Sequence, residues 1–102
     1  MNMNHNTETL TEELVELDSA ISALLSSEES NVIVVYNDNV NTFNHVIHCL
    51  MIYCDHTAEQ AEQIAYIIHH NGKCDVKHGR KVDLIPIWEA LLDMGLTATI
   101  GI

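Results

Sequence analysis

The chain has 102 residues, an apolar fraction of 47% and a net charge of −11 with histidine neutral. This length fits one small domain with a single core, which favours a shallow binding pocket over a large catalytic cleft. Fifteen acidic residues face four basic ones. Nucleic acid is therefore a poor partner, because neutralising phosphates needs many Lys and Arg side chains.

The sequence predicts a protein of the cytoplasm. The first residues combine neither a basic segment nor an apolar stretch, so we expect no export signal. No segment approaches the roughly 18 continuous apolar residues of a membrane span. The three cysteines, Cys49, Cys54 and Cys74, are then expected to be reduced thiols that pack as small apolar side chains. No cofactor is predicted.

Residues 1–30 differ in composition from the domain that we predict over 31–102. They hold seven of the fifteen acids and no Lys or Arg, so they form an acidic N-terminal extension. Its Leu and Ile residues recur at helical spacing from Leu10 to Leu25. This periodicity predicts an extra N-terminal helix from Thr11 to Ser26, with acids in its first turn.

The rest of the chain predicts an α+β fold of order β-α-α-β-α-β. Thr42 and Thr57 suit helix starts, and Asn71-Gly72 suits a helix end. Pro86 lies inside the third helix, so that helix either starts near Ile85 or is kinked. We expect a small three-stranded antiparallel sheet packed against the helices. The predicted strands cover 32–36, 73–78 and 96–100, and the predicted helices cover 42–53, 57–71 and 82–94.

Asn37, Asp38 and Asn39 lie between the first strand and the first helix of this domain. They supply a carboxylate and two amides, and His69 at the end of the second helix adds an imidazole. If these groups converge, they can hold an ammonium group through its three protons. The local alternative is an Asx turn with a histidine that makes nearby hydrogen bonds.

Two other interpretations concern the His and Cys residues and the basic residues. Seven His and three Cys suit zinc, although the chain has no CxxC pair and no HExxH motif, so a zinc-binding domain is an alternative. No Cys signature of a nucleophilic enzyme is present, and we expect no enzyme. The four basic residues fall within nine positions and are either a solvated turn region or a docking site for an acidic partner: Lys73, Lys77, Arg80 and Lys81.

Three segments resemble the ClpS family, which comprises small bacterial adaptors that deliver N-degron substrates to an AAA+ Clp protease. The segment VVYNDNVNTFNHV (34–46) is similar to the family signature after its first strand. The segment AEQIAYIIHHNGK (61–73) is similar to the family helix that ends in a pocket histidine. Residues 95–100 resemble the closing strand, so the resemblance spans about 32–100.

The resemblance implies roles for individual residues. Asn37, Asp38 and His69 match residues that recognise the free α-amino group of a substrate. The walls of an apolar pocket for a large first side chain match Asn41, Phe43, Val46, Ala65, Ile68 and Leu96. An ammonium is costly to bury without partners, and apolar walls contribute about 25 cal/mol per Å² of buried side chain.

The chain departs from the family pattern at several positions. Ala65 stands where the family often has Met, which implies a wider pocket and broader selection of first residues. Asn39 replaces an acid, Asn41 replaces a common Thr, and the family's chaperone-docking run is replaced by residues 77–88. The resemblance implies an adaptor that works with an AAA+ Clp chaperone. The alternative is a ClpS-like interaction module that does not deliver N-degrons.

Overall fold

The computed structural model describes Ile21 and residues 31–101. The predicted N-terminal helix and the acidic extension, Ile21 apart, lie outside the described residues. The described chain folds as β1 (Asn31–Tyr36), α1 (Phe43–Cys54), α2 (Ala58–Asn71), β2 (Lys73–Gly79), α3 (Lys81–Asp93) and β3 (Thr97–Gly101). This order confirms the predicted α+β fold.

The sheet is three-stranded and antiparallel, with strand order β2-β1-β3. Strand β1 is central, which explains its apolar, β-branched sequence. Its alternate residues Ile33 and Val35 are buried in the core. The register between β1 and β2 shifts between Ile33 and Val34, so the ladder there is irregular.

Side-chain hydrogen bonds cap the N-termini of α1 and α2, the two helices that pack against each other. The Thr42 hydroxyl accepts a hydrogen bond from the His45 N–H at 3.1 Å, and Thr57 forms a capping box with Gln60. Gly72 ends α2 in the left-handed conformation, with φ of 92°. Its carbonyl accepts a 2.8 Å hydrogen bond from the Asn37 N–H. The loop after β1 is thereby held against the end of α2.

Helix α3 begins at Lys81, so the predicted alternative of a start near Ile85 is wrong. Pro86 lies inside the helix, where it lacks the N–H that would bond to the Val82 carbonyl. Arg80 forms an ion pair with Asp83 in the first turn, at 2.8 Å. The Trp88 indole donates a 2.9 Å hydrogen bond to the Ala98 carbonyl, which fixes α3 on β3.

The core lies between the sheet and the three helices. Its largest fully buried side chains are Ile33, Leu50, Leu84, Leu91, Val35, Cys49 and Cys54. All three cysteines are free thiols. Burial raises the pKa of the Cys54 thiol to about 11, so this thiol stays protonated at neutral pH. Within the described part of the chain, no helix combines the length and the hydropathy that crossing a membrane requires.

Candidate functional site

A cavity of about 370 Å³ opens where the loop after β1 meets the second half of α2. The loop contributes polar groups, and the two helices contribute apolar side chains and one histidine. The lining residues are Asn37, Asp38, Asn39, Asn41, Phe43, Val46, Ala65, Ile68 and His69. Eight of the nine residues predicted for substrate binding thus meet at one place.

The Asp38 carboxylate organises the loop. One of its oxygens accepts hydrogen bonds from the N–H groups of Val40, at 2.8 Å, and Asn41, at 2.7 Å. The other accepts a 2.6 Å hydrogen bond from the Asn41 side-chain amide. These bonds, those from Asn41 above all, lower the pKa of Asp38. The Asx turn is therefore present, and its carboxylate is ionised at neutral pH.

Asn41 connects this loop to the far end of the chain. Its side-chain amide also donates a 2.8 Å hydrogen bond to the Gly95 carbonyl, in the turn between α3 and β3. Gly95 has a φ of 86°, and a Cβ atom there would lie 3.8 Å from the Asn41 side-chain oxygen. Asn41 thus serves as a structural link as well as a wall of the cavity.

The side chains of Asn37 and His69 are exposed at the cavity. Neither makes a hydrogen bond to another residue that the structure describes. The His69 ring contacts the His70 ring edge-on, with centroids 5.1 Å apart. Because their polar atoms are not used within the described fold, the Asn37 amide and the His69 imidazole remain available to a bound molecule.

The apolar side of the cavity consists of residues from both helices. Ala65 and Ile68 of α2 are each 3% exposed, while Phe43 at the start of α1 is 41% exposed. Val46, one turn after Phe43, packs against the core. Ala65 contributes only a methyl group to this side of the cavity, and the wider pocket that the resemblance implies stays a prediction.

Leu96 is the predicted wall residue that does not line the cavity. It is 4% exposed and belongs to the core cluster. Its N–H donates a 3.0 Å hydrogen bond to the Leu91 carbonyl, which holds it beneath the end of α3. The predicted pocket role of Leu96 therefore remains a prediction.

The basic residues do not form one compact patch. Lys73 lies at the start of β2, whereas Arg80 and Lys81 follow its end at Gly79. The strand between them is about 20 Å long. The Lys77 ammonium donates to the Cys54 carbonyl at 3.3 Å, and Arg80 forms an ion pair with Asp83. Lys73 and Lys81 are exposed. A docking role for these four residues stays a prediction.

Two of the histidines, His45 and His56, contact backbone carbonyls of other elements of the fold. The His45 ring contacts the Met94 carbonyl at 2.8 Å and the Cys49 thiol at 3.6 Å. The His56 ring contacts the Val76 carbonyl at 2.6 Å. Residues 31–101 contain no group of three or more His, Cys, Asp or Glu side chains placed to hold a metal ion. The zinc alternative has no site in this part of the chain.

The fold and the cavity define a small α+β domain with a cavity between a strand-end loop and a helix. The family model described as "ATP-dependent Clp protease adaptor protein ClpS" matches residues 26–97. The chain therefore belongs to the ClpS family.

Individual relatives agree with this assignment. The chain is 36% identical over 66 residues to the ATP-dependent Clp protease adapter protein ClpS of Thermosynechococcus vestitus, covering 64% of this chain and 70% of that protein. It is 28% identical over 69 residues to the ClpS of Streptomyces avermitilis, covering 68% and 66% respectively. The structure of Agrobacterium tumefaciens ClpS2 bound to L-phenylalaninamide matches 72% of this chain and 96% of its own, with a TM-score of 0.68. At 14% identity, that likeness concerns the fold.

Proposed function

We propose that the domain is an adaptor that binds the free α-amino group and the large hydrophobic first residue of N-degron substrates. The observation that carries the proposal is the meeting of Asn37, Asp38 and His69 with apolar helix residues around one cavity. The ligand named for Agrobacterium tumefaciens ClpS2, L-phenylalaninamide, has a free amine beside a large apolar side chain. The proposal assigns a binding role and no catalysis.

The polar rim suits a protonated amine. A carboxylate offers about four acceptor positions. On Asp38, the hydrogen bonds from Val40 and Asn41 use three of these positions, and the Thr97 side chain also interacts with the carboxylate. Its contribution to the substrate is therefore mainly its negative charge. Asn37 offers its side-chain oxygen, and the His69 imidazole offers a ring nitrogen. Asn37 and His69 can accept from the three N–H donors of an ammonium group, and the Asp38 charge balances its charge. An acetylated N-terminus lacks both the charge and two of these donors.

The apolar walls supply the selection of the first side chain. Fully burying a Leu or Phe side chain contributes about 1.5–3 kcal/mol. Ala65 and Ile68 form a floor without polar atoms, so a polar or charged first residue would lose hydration there without gaining partners. Because Ala65 is small, the proposal includes first residues as large as Tyr and Trp.

Delivery to an AAA+ Clp chaperone is the second part of the proposal. The named relatives are adapters of an ATP-dependent Clp protease. The test adds the purified chaperone and protease to a fusion protein that begins with Leu or Phe. We expect this domain to accelerate its degradation. Binding of the Leu fusion without faster degradation would instead favour an interaction module that does not deliver N-degrons.

Fluorescence polarisation tests the binding step. Labelled peptides that differ only in the first of their residues are titrated with the full chain, across all twenty amino acids. We expect the peptides that begin with Leu, Phe, Tyr and Trp to bind most tightly, and their acetylated forms to bind much more weakly. Equal affinity for free and acetylated peptides would refute amine recognition.

A further inference from the structure

A second cavity, of about 600 Å³, lies along α2 next to the first one. Phe43 lines both cavities, so the two adjoin at its ring. We call the second cavity the α2 groove. Its lining residues are Phe43, Glu59, Glu62, Gln63, Tyr66 and Ile67. Phe43, Tyr66 and Ile67 are all large apolar side chains that are exposed to solvent. The groove therefore offers an apolar surface that begins where the first cavity ends.

The length of the groove corresponds to a short stretch of peptide. Its residues run from Glu59 to Ile67, and eight steps of an α-helix advance about 12 Å. An extended chain advances about 3.3–3.6 Å per residue, so about three or four residues span this length. Tyr66 lies near the Phe43 end, whereas Glu62 lies about 6 Å and Glu59 about 10 Å farther along the helix axis.

The charge of the groove specifies what kind of side chain it accepts. Glu59 and Glu62 are exposed, and neither is in an ion pair with any residue of the described fold. The lining contains no Lys or Arg. Tyr66 adds an aromatic face, and its ring packs on the His70 ring at 4.0 Å. Two carboxylates beside a tyrosine ring suit a Lys or Arg side chain, through charge and through a cation–π contact.

The chain's own first thirty residues are a poor occupant. They contain seven acids and no Lys or Arg, so the two carboxylates of the groove repel them. Because Phe43 lines both cavities, a peptide whose first residue sits in the neighbouring cavity can continue past Phe43 into the groove.

We propose that the α2 groove binds residues two to five of the peptide whose first residue occupies the cavity, and that it selects Lys and Arg there. Residue two passes over Phe43 and Tyr66, and the side chains of residues three to five reach Glu62 and Glu59. This inference rests on the proposed function, because that function places the first residue. It adds a second determinant of substrate choice, which is the charge just after the first residue.

The test compares ten-residue peptides of equal composition that all begin with Leu. One carries two Lys residues at positions three and four, and its isomer carries them at positions nine and ten. Because the two peptides have the same composition, the non-specific attraction between a basic peptide and an acidic protein is nearly the same for both. We expect the first peptide to bind about three- to tenfold more tightly, as for two exposed ion pairs. Glu residues at positions three and four should weaken binding.

Two double variants locate the effect. Glu59→Gln with Glu62→Gln should remove the preference for the near Lys residues. Urea unfolding checks that this variant stays folded after the Glu59 charge is removed from the first turn of α2. Glu89→Gln with Asp93→Asn removes the same charge from exposed positions on α3 that line neither cavity, and it should keep the preference.

The outcomes separate the two proposals. If free Leu peptides bind better than acetylated ones but the two Lys isomers bind equally, the groove inference is wrong and the proposed function stands. A preference that survives Glu59→Gln with Glu62→Gln also overturns the groove inference. If free and acetylated Leu peptides bind alike, the proposed function fails, and the groove inference fails with it.

Discussion

Replacing Asn37 with Ala should weaken substrate binding and leave the fold intact. The Asn37 side chain lines the cavity and is exposed, and it makes no hydrogen bond to the described part of the fold. The hydrogen bond that places this residue comes from its backbone N–H, which donates to the Gly72 carbonyl at 2.8 Å. An alanine keeps that backbone bond. The substitution therefore separates ligand binding from folding.

The expected size of the effect follows from the charge on the ligand. A hydrogen bond to a charged group contributes about 1.5–3 kcal/mol, so Kd should rise about 10- to 150-fold. The free energy of unfolding should change by less than about 0.5 kcal/mol, as for an exposed side chain without special contacts.

Asn41 provides the matched control in the same loop. Its side chain donates to the Asp38 carboxylate at 2.6 Å and to the Gly95 carbonyl at 2.8 Å. Asn41→Ala removes both bonds, so it should lower the free energy of unfolding by about 2 kcal/mol.

The assay pairs fluorescence polarisation, using a Phe-starting peptide, with urea unfolding of each variant. Asn37→Ala should bind weakly and unfold like the parent chain, whereas Asn41→Ala should unfold at lower urea. Unchanged affinity of Asn37→Ala for the free peptide would refute the role given to Asn37. A large loss of stability in Asn37→Ala would show that the side chain serves the fold.

Three further predictions concern selectivity, acid stability and packing. Ala65→Met should weaken the binding of Trp-starting peptides more than that of Leu-starting ones, because the larger side chain narrows the cavity. Fluorescence polarisation with both peptides checks this, and an equal loss of affinity for both would contradict it. Hydrogen bonds hold the pKa of Asp38 below its ordinary 3.8 in the folded state, so unfolding takes up a proton as the pH falls below about 4, and the free energy of unfolding decreases there. Urea midpoints between pH 6 and pH 2 should show a steeper fall for the parent chain than for Asp38→Asn, and identical slopes would count against this carboxylate. Trp88→Phe removes the indole hydrogen bond to the Ala98 carbonyl and should lower the free energy of unfolding by about 1–3 kcal/mol; an unchanged urea midpoint would show that this bond does not hold α3 on β3.

The element order follows from signals that are local in the sequence. Thr42 and Thr57 start their helices because a hydroxyl can accept from a backbone N–H three residues on. Gly72 ends α2 because glycine adopts a positive φ without strain. Such signals act over three or four residues, so a single sequence displays them directly. The alternative of a helix start near Ile85 was wrong, because the packing of α3 on β3 tolerates Pro86 inside the helix.

The cavity was predictable through the resemblance, and its internal bonds were not. The convergence of Asn37, Asp38 and His69 was expected from matching residues. The hydrogen bonds of Asp38 depend on how Asn41 is held, and Asn41 bonds to Gly95, which lies 54 positions away. The sequence shows no sign of that contact.

Leu96 and the α2 groove illustrate the same limit. A leucine just before a strand can face a pocket or the core, and only the turn at Gly95 decides this. The groove needs Phe43 of one helix beside Tyr66 of another, and periodicity within either helix does not reveal that pairing. Glu59 and Glu62 read in sequence as an ordinary solvated face.

The most direct measurement is an NMR titration of the ¹⁵N-labelled chain with L-phenylalaninamide and, separately, with N-acetyl-L-phenylalaninamide. We expect the free amine to shift the amide signals of the cavity residues, Asn37, Asp38, Ala65 and His69 among them, and the acetylated compound to leave them nearly unchanged. Equal shifts with both compounds, or shifts confined to residues outside the cavity, would contradict this expectation.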